Sequence, residues 1–392
     1  MILTFLLKFT FLILQFYFLQ LGISLLDDLF GRFIFIEGLA ILLSYIMGAA
    51  IVQSASSEFG ERVYKEEDIY KDLFSHFTPN ICVILFLFAL ASISILFSTL
   101  FMICVFYVAF IMINDLAVAV NRLFFTKRAI IINQVIVKIF LVSLISYVNP
   151  QTLIHFTSIV AIVYLGVGML TISYSRAEIR NLWRVRSIAL YKLPTKYTYY
   201  KLPGLRQINQ RFEEVFFGAF VDPSILTTFK VSKQFGNLSG FVQQTLSPII
   251  SREWSFKRSL TKNISDSYNR LGRVSLFGAI AMTCIIVVFY YLFVKSGIIS
   301  LSIFNYFELE SYFIISFCLI IFAWIGPVGV FLTSIGKAES TNNLLILSLI
   351  LKVIMFIIFL TADIMTSQVL ALTFAIPLII WTLVGRIIYF KN

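Results

Sequence analysis

The chain has 392 residues, of which 59% are apolar and 13% are charged, and its formal net charge is +11. Soluble domains are about half apolar and about a quarter charged, so this composition excludes an ordinary soluble domain and predicts an integral membrane protein. The apolar runs are long and do not alternate with polar residues, which favours membrane-spanning helices over β-strands.

Ten segments are long and apolar enough to cross a membrane as helices. In chain order they are residues 2–26, 33–52, 79–98, 100–120, 129–148, 152–173, 273–294, 313–335, 342–362 and 367–388. The first is too long for the apolar part of a cleavable signal peptide, so we expect it to be a span. Two further segments, residues 202–221 and 225–249, have a similar length but carry many polar side chains. If both cross, the sequence predicts about 12 transmembrane helices.

The positions of the basic residues predict an orientation. With a cytoplasmic N-terminus and twelve crossings, 22 Lys and Arg residues fall in or next to cytoplasmic connections and two, Arg32 and Lys295, fall outside. This bias follows the positive-inside rule, so we expect both termini in the cytoplasm. The net positive charge is then a consequence of topology and needs no nucleic-acid partner. Omitting both polar segments would leave the other spans in the same orientation, so charge bias does not decide whether that pair crosses.

Each polar segment has one apolar face and one polar face at helical spacing. The polar side of the first carries Arg206, Asn209, Gln210, Glu213 and Glu214. One face of the second carries Lys230, Lys233, Asn237 and Gln244. Charged residues within a membrane usually face a bundle interior or a water-filled cavity. The alternative is an amphipathic hairpin on the cytoplasmic surface, but the turn at Asp222 and Pro223 lacks Lys and Arg, as the other outside turns do, which favours two spans.

The two halves of the chain follow the same plan of six segments. Aligning each residue with the one 196 positions later places Gly22 on Gly218, Phe33 on Phe229 and Glu37 on Lys233. We therefore expect an N-terminal six-helix lobe at 1–173, a basic cytoplasmic linker at 174–201 and a C-terminal six-helix lobe at 202–392. Repeats of this kind are common in membrane transporters, which bind substrate where the repeats meet.

Three acidic residues inside predicted spans are candidates for proton or sodium coupling, namely Glu37, Asp115 and Glu213. For Asp115 the alternative is an ion pair with Lys138, because intramembrane charges usually pair. The four cysteines lie in apolar runs and are expected to be small buried residues. Neither they nor the two isolated histidines have metal-ligand spacing, so we expect no metal site. The sequence has no GxxxxGK[ST] loop, so ATP coupling is not expected.

Four stretches carry a resemblance to a known family. They are DDLFGRFIF at 27–35, FFGAFVDPSILTTFKVSKQFG at 216–236, TLSPIISREW at 245–254 and GPVGVFLTSIGK at 326–337. With the twelve-segment plan, they resemble the multidrug/oligosaccharidyl-lipid/polysaccharide flippase superfamily, and within it the O-antigen or capsule repeat-unit flippases of bacterial inner membranes. The resemblance implies an all-α polytopic membrane protein with two six-helix lobes around a central cavity.

In the polysaccharide branch, the resemblance implies a basic cavity for an undecaprenyl-pyrophosphate-linked oligosaccharide. Alternating access would pass this lipid from the cytoplasmic to the periplasmic leaflet, and a polymerase and glycosyltransferases of the same pathway would be partners besides membrane lipids. Forked guanidinium groups and mobile ammonium groups suit a pyrophosphate. The expected pyrophosphate contacts are Arg206, Arg211, Lys230 and Lys233. The expected contacts to sugar hydroxyls are Asn209, Asn237, Gln243 and Gln244.

Two other functions remain open. A membrane-embedded glycosyltransferase or polysaccharide polymerase would place acidic residues such as Asp27 and Asp28 in an external active site, although the external connections are short. A cation-coupled drug exporter of the same superfamily would need an acidic cavity, whereas the two polar segments are mainly basic.

Overall fold

The protein is described by a computed structural model. The structure describes residues 2–49, 52, 70–94, 98–124, 128–184, 197–247, 261–334 and 337–390, and no β-strand occurs within them. We number the α-helices of these ranges α1 (Ile2–Leu26), α2 (Leu29–Ser44), α3 (Tyr70–Ser94), α4 (Thr99–Phe124), α5 (Arg128–Val148), α6 (Leu153–Tyr174), α7 (Arg176–Arg184), α8 (Tyr197–Phe212), α9 (Pro223–Ser239), α10 (Thr261–Phe289), α11 (Leu309–Ile325), α12 (Val328–Ser334), α13 (Ala338–Thr361) and α14 (Ser367–Phe390). Residues 241–247 form a further helical segment.

Nine helical stretches in these described ranges are long and apolar enough to cross a membrane. They correspond to nine of the ten predicted apolar segments. The tenth lies in α5, in which Val135–Val148 is a shorter apolar helical stretch. The prediction of an all-α polytopic membrane protein is confirmed.

Asp or Asn residues stand where several long helices end. Asp27, Asn149 and Asp363 have φ angles of 46°, 50° and 54°. These two residue types adopt the left-handed conformation more readily than other non-glycine residues. The amides of Asp27 and Asn149 donate to carbonyls four residues earlier, at 2.8 and 2.9 Å. The polar residue after each apolar run therefore closes the helix.

The first of two compact units comprises Met1–Asp27 and Phe35–Gln207. Within it α4 packs along α6, α1 along α5 and α3 on α4. The close approach of α4 and α6 depends on Gly168, where a Cβ atom would lie 3.2 Å from the backbone of Asn114. Small residues of this kind allow membrane helices to pack closely.

The second unit comprises Asp28–Ile34 and Ile208–Asn392. Helix α11 contacts α9, α10 and α14, and α13 packs on α14. A Cβ atom at Gly236 of α9 would lie 2.5 Å from the side chain of Ile315, so α9 and α11 are in close contact. The polar helix α9 is thus packed among apolar helices of its own unit.

Several helices also present apolar side chains outward. Phe277, Ile285 and Val288 on α10 are exposed, which suits a helix that faces lipid. The expectation that all four cysteines are buried is wrong for Cys82 and Cys284, which are exposed. A thiol that faces lipid avoids water, as does a thiol buried inside the protein. An apolar sequence context therefore cannot distinguish a lipid-facing cysteine from a buried one.

Candidate functional site

Two adjacent carboxylates occupy the interior of the second unit. Glu213 and Glu214 begin a π-helical turn, Glu213–Phe217, that follows α8, and both are buried. Such turns are frequent at functional sites. The chain then reverses through Asp222, and Pro223 occupies the first turn of α9, where its missing amide hydrogen costs nothing. This tight connection brings the basic face of α9 beside the two carboxylates.

Glu214 binds basic side chains from both helices. One oxygen lies 2.5 Å from the Arg211 guanidinium, and the other lies 2.6 Å from the Lys230 ammonium. Lys233 lies 3.7 Å from an oxygen of each carboxylate. The Lys233 ammonium also donates to the carbonyl of Gln210 at 3.2 Å, which ties α9 to α8.

Glu213 pairs with a residue of a distant helix. Its Oε1 lies 2.5 Å from Nζ of Lys352 on α13, and that ammonium also donates to the carbonyl of Asn209 at 2.6 Å. The amide of Asn209 donates to the carbonyl of Leu345 at 3.0 Å. The Lys233 and Lys352 ammonium groups lie 5.1 and 5.7 Å from the Phe374 ring of α14, within cation–π range.

The position of Lys352 determines the depth of this ionic cluster, by which we mean Arg211, Glu213, Glu214, Lys230, Lys233 and Lys352. At 1.5 Å per residue, Lys352 lies about 21 Å from the first residue of α13 and about 13 Å from the last. Helix α13 is one of the apolar candidate spans. A hairpin on the membrane surface would not place Glu213 at this depth, so the contact with Lys352 favours two packed helices over the surface interpretation.

The ionic cluster carries more positive than negative charge. Four basic side chains surround two carboxylates, which leaves a formal net charge of +2 among these described residues. Isolated charges in a low-dielectric interior are costly, and the contacts between opposite charges offset part of that cost. The residual positive charge makes the cluster suited to an incoming anion.

Three solved structures are similar to this chain. The lipid II flippase MurJ in an inward closed conformation matches with a TM-score of 0.65 and 15% identity, over 100% of this chain and 88% of that one. MATE in the bent conformation matches with a TM-score of 0.58 and 14% identity, over 98% and 95%. An outward-facing multidrug resistance MATE family transporter of the MOP superfamily matches with a TM-score of 0.50 and 12% identity, over 99% and 93%. No family model and no curated protein matches the sequence.

The chain has the fold that these MurJ and MATE structures share. The expectation that the resemblance raised is confirmed at the level of the fold, and assignment to the flippase superfamily and to its O-antigen or capsule branch stays a prediction.

The structure brings together only part of the predicted site. Arg211, Lys230 and Lys233 lie in the ionic cluster, and Asn209 lies beside it. Gln243 is buried, and neither atom of its side-chain amide has a hydrogen-bond partner among the described residues. Three predicted substrate contacts lie outside the cluster. Arg206 and Gln244 are exposed, and Asn237 is half-buried.

Two of the three coupling candidates lie in the first unit, Glu37 on α2 and Asp115 on α4. The Lys138 ammonium lies 4.4 Å from the centroid of the Phe18 ring. The pairing of Asp115 with Lys138 stays a prediction. Glu213 is the coupling candidate that lies within the ionic cluster.

The sequence prediction missed Lys352 as a member of the candidate site. The signal was present, because a lysine within an otherwise apolar span is rare and is a functional candidate by itself. The partner was not visible, since Lys352 is 139 residues away from Glu213 in the chain.

Proposed function

We propose that this chain is a flippase that moves a pyrophosphate-linked lipid oligosaccharide from the cytoplasmic to the periplasmic leaflet of a bacterial inner membrane by alternating access. The observation that carries the proposal is the buried ionic cluster with its net formal charge of +2. Electrostatic attraction to a pyrophosphate is strong in such a low-dielectric setting. The fold shared with the lipid II flippase MurJ supports a lipid-linked substrate.

Solvent exposure suggests two roles within the ionic cluster. The Arg211 and Lys230 side chains are 23% and 11% exposed, whereas those of Glu213 and Lys352 are 0% and 4% exposed. We assign the pyrophosphate to Arg211 and Lys230, with Lys233 adjacent, so that the ligand replaces Glu214 as their anionic partner. The deeper Glu213–Lys352 pair then holds α8 and α13 together while the ligand exchanges.

The remaining predicted residues complete the proposed pathway. Arg206 is a proposed further contact to the anion, and Asn237 and Gln244 are proposed contacts to sugar hydroxyls. Glu213, Glu37 and Asp115 are proposed sites of proton or sodium coupling. A polymerase and glycosyltransferases of the same pathway are the proposed partners of the undecaprenyl-linked substrate.

Complementation in cells tests the proposal. We expect Lys230→Ala or Lys233→Ala to lower surface polysaccharide about tenfold or more in cells that lack the chromosomal copy, because each change removes a charge-assisted contact to the anion. Lys295→Ala, which removes an exposed lysine outside the ionic cluster, is the matched control. Immunoblots of the membrane fraction check that the protein level is unchanged. Normal surface polysaccharide in cells with both alanine changes would contradict the proposal.

A cation-coupled drug exporter is the second candidate, because MATE structures share the fold and two buried carboxylates could receive a cationic drug. This candidate predicts that overproduction of the chain raises resistance to cationic compounds and that Glu214→Gln abolishes the effect. The flippase proposal predicts unchanged resistance with or without Glu214→Gln. A drug-susceptibility assay on overproducing cells distinguishes the two, and a resistance that depends on Glu214 would favour the exporter.

A further inference from the structure

A basic cavity lies in the second unit, near the ends of α10, α11 and α14. It forms where α11 ends, at Gly326, whose φ of 95° interrupts the helix before Pro327 and α12. The Tyr268 hydroxyl donates to the carbonyl of Ile325 at 2.6 Å, so the carbonyl freed by the break has a partner. A Cβ atom at Gly326 would lie 2.8 Å from the Tyr268 ring, which fixes the position of the break.

The lining of this cavity is basic and aromatic. The cavity has a volume of about 260 Å³, and its wall includes Arg273, Arg386, Asn269, Tyr268 and Trp324. Among the lining residues in the described part of the chain there is no carboxylate, in contrast to the ionic cluster. Two arginines and one asparagine therefore line the same space.

The position of Arg386 places the cavity near one surface of the membrane. Arg386 is the last residue but one of the candidate span Ser367–Ile387. Asn269 and Arg273 lie in the first third of the candidate span Asp266–Val294, and Trp324, which is 60% exposed, lies within the candidate span Leu309–Thr333. On the orientation that the basic residues predict, this is the cytoplasmic surface.

We propose that this cavity binds a phosphate ester at the cytoplasmic membrane surface. Guanidinium groups form forked hydrogen bonds to phosphate oxygens, and basic pockets between helices at this surface suit anionic lipid headgroups. Arg273 and Arg386 bind the phosphate, Asn269 donates a further hydrogen bond, and the Trp324 indole packs beside the attached group. The site is separate from the ionic cluster and does not depend on the proposed transport activity.

Ligand binding to the purified full chain in detergent tests the proposal. The thermal unfolding midpoint is measured during titration with short-chain phosphatidylglycerol, with phosphatidylcholine and with inorganic phosphate. We expect phosphatidylglycerol or inorganic phosphate to raise the midpoint, and phosphatidylcholine, whose choline group the arginines repel, to raise it less. A response to phosphatidylglycerol alone identifies a lipid headgroup as the source, and an equal response to inorganic phosphate identifies a soluble phosphate ester.

Variants assign the response to the cavity. Arg273→Gln and Arg386→Gln should each weaken the apparent affinity about tenfold, because each removes a charge-assisted contact. Arg270→Gln is the matched control, since Arg270 is an exposed arginine on the same helix that does not line the cavity. Gel filtration checks that every variant is monodisperse. Equal affinity in wild type and Arg273→Gln, or no response of the wild type to either phosphate compound, would overturn the proposal.

Discussion

Glu213 and Glu214 are neighbours in the chain but bind different basic residues. Glu214 binds Arg211 of α8 and Lys230 of α9, whereas Glu213 binds Lys352 of α13. The consequence of losing a partner differs accordingly. Lys230 and Arg211 are partly exposed and can be hydrated, but without Lys352 the basic partner left to the Glu213 carboxylate among the described residues would be the more distant Lys233, at 3.7 Å.

The first prediction concerns the Glu213–Lys352 pair. We expect Lys352→Met to lower the free energy of unfolding by about 3 kcal/mol, because removing one partner leaves a poorly compensated buried charge. The double variant Lys352→Met/Glu213→Gln should recover most of this loss, since it removes both charges. The measurement is denaturant unfolding in mixed micelles.

Lys295→Met is the control for this cycle. Lys295 is exposed and follows the π-helical turn Tyr290–Val294 that comes after α10, so its replacement should change the free energy of unfolding by less than about 0.5 kcal/mol. If Lys352→Met were as stable as the wild type, or if the double variant were no more stable than the single one, the pair would not have the role that its geometry indicates.

Individual helices in this protein approach one another through glycine. The start of α2 and the start of α9 belong to the same unit, and a Cβ atom at Gly31 would lie 1.9 Å from the carbonyl oxygen of Pro223. This contact holds the turn between α8 and α9 against the start of α2. Near the same end, the Tyr306 hydroxyl donates to Asp28 at 3.0 Å.

The second prediction compares two glycine-to-alanine changes. Gly31→Ala should destabilise the protein by about 1–3 kcal/mol, because the neighbouring atom belongs to the backbone and cannot move without shifting α9. Gly166→Ala, in the middle of α6, should be neutral or stabilising by up to about 1 kcal/mol, since nothing lies within 4 Å of its Cβ position and alanine favours helix. Thermal unfolding of both purified variants checks the pair. Equal melting temperatures would exclude a close contact between α2 and α9.

The distribution of basic residues predicts the orientation of the whole chain in the membrane. The connections predicted to be cytoplasmic are basic, whereas the turn between the two polar helices contains Asp222 and no basic residue. Since the ionic cluster lies deep within the span α13, the two polar helices and their turn share the topology of the apolar spans around them. The orientation of the turn is therefore the most direct test of the whole arrangement.

The third prediction places that turn on the periplasmic side. In a variant without the four native cysteines, we expect Asp222→Cys to react with a membrane-impermeant maleimide in intact cells. Lys337→Cys, at the start of α13, should react only after the cells are permeabilised. Labelling of both positions from the same side would contradict the orientation and, with it, the proposed direction of transport.

The sequence by itself determined which apolar segments form helices, the all-α class and the predicted orientation. Each depends on features that are local in the chain: the length of an apolar run, the Asp or Asn that ends it, and the sign of charge in the next connection. The amphipathic pattern also identified Arg211, Glu213, Lys230 and Lys233 as unusual. These residues could be recognised because charged side chains raise the free energy of a helix inside a membrane and are therefore rare there.

Only the tertiary structure decided which charges meet. Glu213 pairs with Lys352, and the cavity beside Trp324 is lined by residues of three helices. Both features depend on helices that are far apart in the sequence. Helical periodicity shows which side chains share a face of a helix, but not which other helix packs against that face. The sequence therefore could not distinguish a surface hairpin from two packed helices. That choice depended on contacts across α8, α9 and α13, where the free energy of burying charges is offset by partners from other helices.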